Sequence, residues 1–139
     1  MINKFFLRVF VLKEIRHYFG FLFEKGFNIS DAEYAVNYNG NWSVQLKSQN
    51  FVIYIVQDRN YIEISFAPLF GASGKNPIDL ERMILLLTEG KVCIGAFEGN
   101  PAWRKRQQFE RMAGFLKEYI DRISLFFALS KCIKYNYLT

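Results

Sequence analysis

From Tyr34 to Phe66, apolar and polar residues alternate in steps of two, and turn-forming residues break the alternation three times. Tyr34, Val36 and Tyr38 alternate with Glu33, Ala35 and Asn37 before Asn39-Gly40, a dipeptide suited to a type I′ hairpin because both its residues tolerate positive φ. Trp42, Val44 and Leu46 then alternate with Ser43, Gln45 and Lys47, up to the break at Ser48-Gln49-Asn50. The run from Phe51 to Val56 is apolar on both faces, as a central strand is. After Asp58-Arg59-Asn60, Ile62, Ile64 and Phe66 stand opposite in phase to Tyr61, Glu63 and Ser65. Four strands joined by short turns predict an antiparallel meander.

Helical spacing frames this sheet. Leu12, Ile15, Phe19, Leu22 and Phe23 recur at three and four residues within a helix predicted from about Lys4 to Lys25. Gly26 is placed to end it in a left-handed C′ conformation, with Phe27 folding back, and Gly20 is a weak point where the helix can bend. Apolar residues among the first ten crowd several sides of the helical wheel, which suggests burial on more than one face. Asn76-Pro77-Ile78-Asp79 reads as a helix start, Leu80, Met83, Ile84 and Leu87 as its apolar stripe, and Gly90 as its stop. The same start signal recurs at Asn100-Pro101. It opens the longest periodic segment, Phe109, Met112, Leu116, Tyr119, Ile123 and Phe126, expected to end near Leu129. The fold class is therefore α+β in one domain: an N-terminal helix, a four-stranded antiparallel meander sheet, and two C-terminal helices, the last long and packed on the sheet.

Composition sharpens this picture in three ways. A chain of 139 residues with 51% apolar residues suffices for one continuous core, and its fifteen Phe and eight Tyr are either core filling or a patch for a partner. No run reaches the roughly 18 apolar residues of a membrane span, and the opening apolar segment carries Arg8 and lacks a cleavage signal, so a cytoplasmic protein is expected. The net charge of +5 is divided unevenly: residues 1–26 carry +3, residues 27–100 carry −3 and residues 101–139 carry +5. A mildly acidic sheet beside basic helices suits either an anion-facing surface or charge matching between layers.

Candidate chemistry is sparse. Cys93 and Cys132 have no partner at ligand spacing and read as buried free thiols, while the lone His17 reads as a surface or half-buried imidazole. No metal, cofactor or catalytic set emerges. Ala67 to Asn76 contains Gly-Lys after a strand, but its glycines are three apart and Asn76 replaces the hydroxyl of a phosphate-binding loop. Glu63 reads as a solvated strand residue and Asp58 as a turn former. Arg104, Lys105 and Arg106 beside Trp103 form the anion-binding candidate, although consecutive helix positions point in different directions and acids intersperse the helix. The aromatic set Tyr34, Tyr38, Trp42, Tyr54 and Tyr61, with Glu63, is the candidate partner-binding surface. Such rings supply both apolar area and a hydrogen bond.

The helix ending in FGFLFEKGFNI, the aromatic meander and the helix PIDLERMILLL together resemble small uncharacterised bacterial proteins of toxin–immunity neighbourhoods. The resemblance rests on Phe21, Leu22, Gly26, Phe27, Asp79, Leu80, Ile84 and Leu85. It implies a cytoplasmic protein that works by binding another protein, and it brings no catalytic residues with it. A basic chain is a poor match for the basic site of a nuclease. The expected function is a non-enzymatic protein-binding module, immunity-type, that blocks a partner by occupying its surface. The alternative is a cystatin-like small-ligand binder or modest enzyme with a pocket between helix and curved sheet, and nucleic-acid binding through the basic C-terminal helix comes third. A homodimer stays open.

Overall fold

The computed structural model describes residues 4–35, 41–59, 61–69, 77–94 and 105–138; side chains 4, 7, 35 and 131–138 are outside the description. Helix α1 (Lys4–Glu24) leads into β1 (Asn28–Ala35), β2 (Asn41–Lys47), β3 (Phe51–Asp58), β4 (Tyr61–Pro68) and β5 (Ile78–Asp79), followed by α2 (Leu80–Leu87) and α3 (Lys105–Leu138). The five strands form one antiparallel sheet in chain order, with β3 at its centre as its two apolar faces predict. The α+β meander with a long helix against it is thus the architecture of this chain.

Several boundaries differ from expectation for local reasons. The first strand starts at Asn28, directly after α1, and not at Tyr34. A bulge at Ser30, between the pairs Ile29↔Leu46 and Asp31↔Gln45, resets the alternation and hides this start from a period-two reading. Ala35 pairs with Asn41, and Asn39-Gly40 lies outside the described residues. A short fifth strand pairs Ile78 and Asp79 with Phe66 and Ser65, so helix α2 begins later than Asn76-Pro77 suggests. Its cap is Asp79, whose Oδ1 accepts the Arg82 N–H at 2.7 Å. The end of α1 follows prediction: Gly26 has φ 93°, and the Phe27 and Gly26 amides donate to the Leu22 and Phe23 carbonyls at 3.0 and 3.2 Å, a Schellman motif. The bend of α1 falls at Phe19, with φ −117° and ψ 19°, next to Gly20.

One face of the sheet is covered. Trp42, Val44, Leu46, Phe51, Ile53, Ile55, Ile62, Ile64 and Phe66 point inward and form a single cluster with Val11, Ile15, Phe19 and Leu22 of α1 and with the α3 stripe. That stripe is Phe109, Met112, Leu116, Tyr119, Ile120, Ile123 and Phe127; Phe126 is only partly buried. The shift from Phe126 to Phe127 follows from helix geometry. Alternating steps of three and four average 3.5 residues, whereas five turns of 3.6 residues carry Phe109 to position 127. Helix α3 also continues as one helix to Leu138, past the predicted end near Leu129.

Two aromatic nodes join the layers. Phe109 lies parallel to Tyr18 at 4.9 Å and to Trp42 at 6.2 Å, joining α1, α3 and β2. Phe51 stacks on Phe127 at 4.7 Å and meets Phe27 edge-on at 5.2 Å. The N-terminal turns of α1 contradict their expected burial: Phe5, Phe6, Val9 and Phe10 are 48–68% exposed, because the core begins only at Val11.

Candidate functional site

The register assigns each candidate side chain to a face. On β1, β2, β3 and β4, the residues out of phase with the buried set point away from the helices. They include Asp31, Glu33, Ser43, Gln45, Lys47, Val52, Tyr54, Val56, Asp58, Tyr61 and Glu63. None of them joins the core cluster. Tyr54 stands opposite Gln45 and Ser65, Val56 opposite Ser43 and Glu63, and Asp58 opposite Tyr61, so Tyr54, Tyr61 and Glu63 are brought onto one face. Val52 is 8% exposed even on this face, between Lys47 and Ala67 on the neighbouring strands. Four exposed carboxylates, Asp31, Glu33, Asp58 and Glu63, share the face with one described cation, Lys47.

The predicted aromatic surface is divided by this geometry. Trp42 is 3% exposed on the inner face, where its indole Nε1–H donates to Gln57 Oε1 at 2.9 Å from the directly opposite residue of β3. Tyr34, opposite Trp42, also points inward, and burial pushes its phenol above the usual tyrosine range while Arg8 pulls it back. Its hydroxyl is buried and has no hydrogen-bond partner among the described residues. Tyr38 lies outside the described residues. Tyr34 and Trp42 are therefore removed from the outer surface, because the bulge in β1 and the seating of Phe109 decide which face the helices cover.

The anion-binding candidate is also redistributed. Arg104 lies outside the described residues. Lys105 Nζ sits 3.5 Å from Glu14 Oε2 and 5.9 Å from the Phe109 ring centre, and Arg106 Nε donates to Glu110 Oε1 at 2.9 Å. That hydrogen bond raises the Arg106 pKa further above its already high value. Other cations have internal tasks: Arg111 and Arg122 of α3 donate to the Ile94 carbonyl and to the carbonyl of Leu87 at the end of α2, and Lys25, just past α1, pairs with Asp121 of α3 at 2.8 Å. Charge matching between layers thus engages Lys25 and Lys105.

Two features escaped the periodicity reading. Gln108, 2% exposed, accepts the Ile62 N–H at 2.9 Å, where β5 is too short to pair with β4. Gln108 ends the polar run from Arg104, so nothing in the sequence sets it apart as buried. The second is an open groove of about 760 Å³ between α1 and the edge strand β1.

The remaining candidates are quickly placed. Cys93 is exposed, against the expected burial, because it follows the end of α2 on the surface, and the Cys132 side chain is outside the description. His17 is exposed and meets the Tyr18 ring edge-on at 4.7 Å. The glycine-lysine segment at residues 70–76 lies outside the described residues. Among the described residues no three His, Cys, Asp or Glu side chains converge as a metal site, and no helix is long and apolar enough to cross a membrane. Compared with protein-family models, with curated proteins and with solved structures, the chain matches none.

Proposed function

We propose that this protein is a non-enzymatic binding module that holds a protein partner against the outward face of its sheet and blocks it by occlusion, in the manner of an immunity protein. The reading is carried by one observation: Tyr54, Tyr61 and the Val52–Val56 strip lie on a face whose rim holds Asp31, Glu33, Asp58 and Glu63 and, among the described strand residues, only Lys47 in opposition. Apolar and aromatic area at the centre with charge around it is the usual anatomy of an interface. The acidic rim selects a partner whose contact surface is basic, even though the chain as a whole carries +5. Antiparallel strands keep these side chains on a rigid platform, so association costs little ordering entropy.

The test is affinity capture of partners from native extract, compared between wild type, Tyr54→Ala, Glu63→Lys and the surface control Lys117→Ala. A specific protein that is retained by wild type and Lys117→Ala, and lost by the two sheet variants, supports the reading. A specific partner retained equally by all four moves the interface off this face.

A further inference from the structure

The groove beside β1 differs from the outer sheet face in shape and in charge. Among the described residues, strand β1 is the edge of the sheet and pairs only with β2, so the backbone groups along its other side have no ladder partner there. Above that edge, Phe5, Arg8, Leu12 and Arg16 recur at three and four residues and share one flank of α1. This flank faces Ile29 and Tyr34 across a groove of about 760 Å³. The flank therefore overhangs the position that a sixth strand of the sheet would occupy.

The chemistry of the groove is asymmetric. Arg8 and Arg16 are exposed and form no salt bridge among the described residues, and Asp31 is the only carboxylate among the groove's described lining. The buried Tyr34 hydroxyl lacks a hydrogen-bond partner among the described residues, although buried polar groups are rarely left so. Two guanidinium groups favour carboxylates, while Phe5, Leu12 and Ile29 offer apolar contact between them. Unpaired strand backbone, an apolar wall and alternating charge are what an extended segment needs to add to a sheet.

We propose that β1 and the overhanging flank of α1 receive an acidic, extended segment of a partner protein as a sixth strand. The bulge at Ser30 confines regular pairing to residues 31–35 of β1. Arg8 and Arg16 lie about 12 Å apart along the helix, close to the roughly 13 Å between alternate same-face positions i and i+4 of a strand. An acidic side chain at each position with an apolar one between would meet both arginines and Leu12. This surface shares only Asp31 with the described residues of the outer sheet face, and its failure leaves that reading intact.

The probe is a fluorescein-labelled peptide of sequence Thr-Glu-Thr-Val-Thr-Glu-Thr, which sets its glutamates at i and i+4 and its valine at i+2 on one face, titrated against the full chain and followed by fluorescence anisotropy. Saturable binding is expected, weakened about tenfold in Arg8→Gln/Arg16→Gln, and about tenfold for the same peptide N-methylated at every residue, which has no N–H on either edge to complete the ladder. The N-methylated peptide acts on the wild-type protein, so it reads strand addition even if the double variant folds poorly. Equal binding of the peptide with Gln in place of both Glu, equal binding of the N-methylated peptide, or no saturable binding would each overturn the proposal. Displacement by glutarate at the peptide's own concentration would do so too, because it would mean a small-carboxylate site without strand pairing.

Discussion

Gln108 completes a hydrogen bond that the sheet cannot make for itself, since the Ile62 N–H has no strand beyond it. Gln108→Leu keeps the apolar stem but strands that amide, and is expected to cost about 1–3 kcal/mol in a urea melt. Glu89 holds φ 54° as the C′ residue of a Schellman motif, with the Gly90 amide donating to the Leu85 carbonyl at 2.8 Å. A side chain in this left-handed conformation is strained, so Glu89→Gly should raise stability by up to about 1 kcal/mol. Tyr34 has the opposite relation to its surroundings. Its phenol is raised by burial, so the folded state favours the neutral form; that contribution is complete below pH 10.0 and is lost as pH rises through the higher folded value. Tyr34→Phe should therefore move alkaline unfolding to higher pH, read by circular dichroism across an alkaline titration.

At the scale of elements, α3 is the piece that the sheet depends on. Leu116 and Ile123 are both fully buried between α3 and the strands, and truncation of either to Ala is expected to cost roughly 2–5 kcal/mol. Phe127 stacks on Phe51 whereas Phe126 is partly exposed, so Phe127→Ala should lower the unfolding midpoint well beyond Phe126→Ala. Equal losses for the two would contradict the 3.6-residue rotation of the stripe. The exposed cross-link Lys25–Asp121 is worth at most about 1 kcal/mol by comparison, so it orients α1 against α3 more than it stabilises them.

Across the whole molecule, the two sheet faces predict opposite behaviour for residues of the same type. Trp42→Ala removes a ring packed on Phe109 and orphans Gln57, and should cost about 3–5 kcal/mol, whereas Tyr54→Ala and Glu63→Lys should leave the thermal midpoint nearly unchanged. A scanning-calorimetry series of the three variants checks this division. Helix α1, its Gly26 stop, the central place of Phe51–Val56 and the existence of a long final helix were all legible in the amino-acid order. Backbone periods of 2.0 and 3.6, and the φ requirement of a C′ residue, act over a few neighbouring positions and leave their mark locally. The bulge at Ser30 and the two-residue strand β5 left no such mark, since each exists only against a partner strand. The candidate site divided for the same reason: alternation places Tyr34 and Trp42 on one face and Tyr54, Tyr61 and Glu63 on the other. It does not say which of the two the helices will cover. Burial of apolar area against α1 and α3 made that choice, and it also committed several α3 cations to internal partners and opened the groove beside β1. Local order along the chain thus determined the elements and their ends, while the packing free energy of the assembled layers decided which residues face a partner.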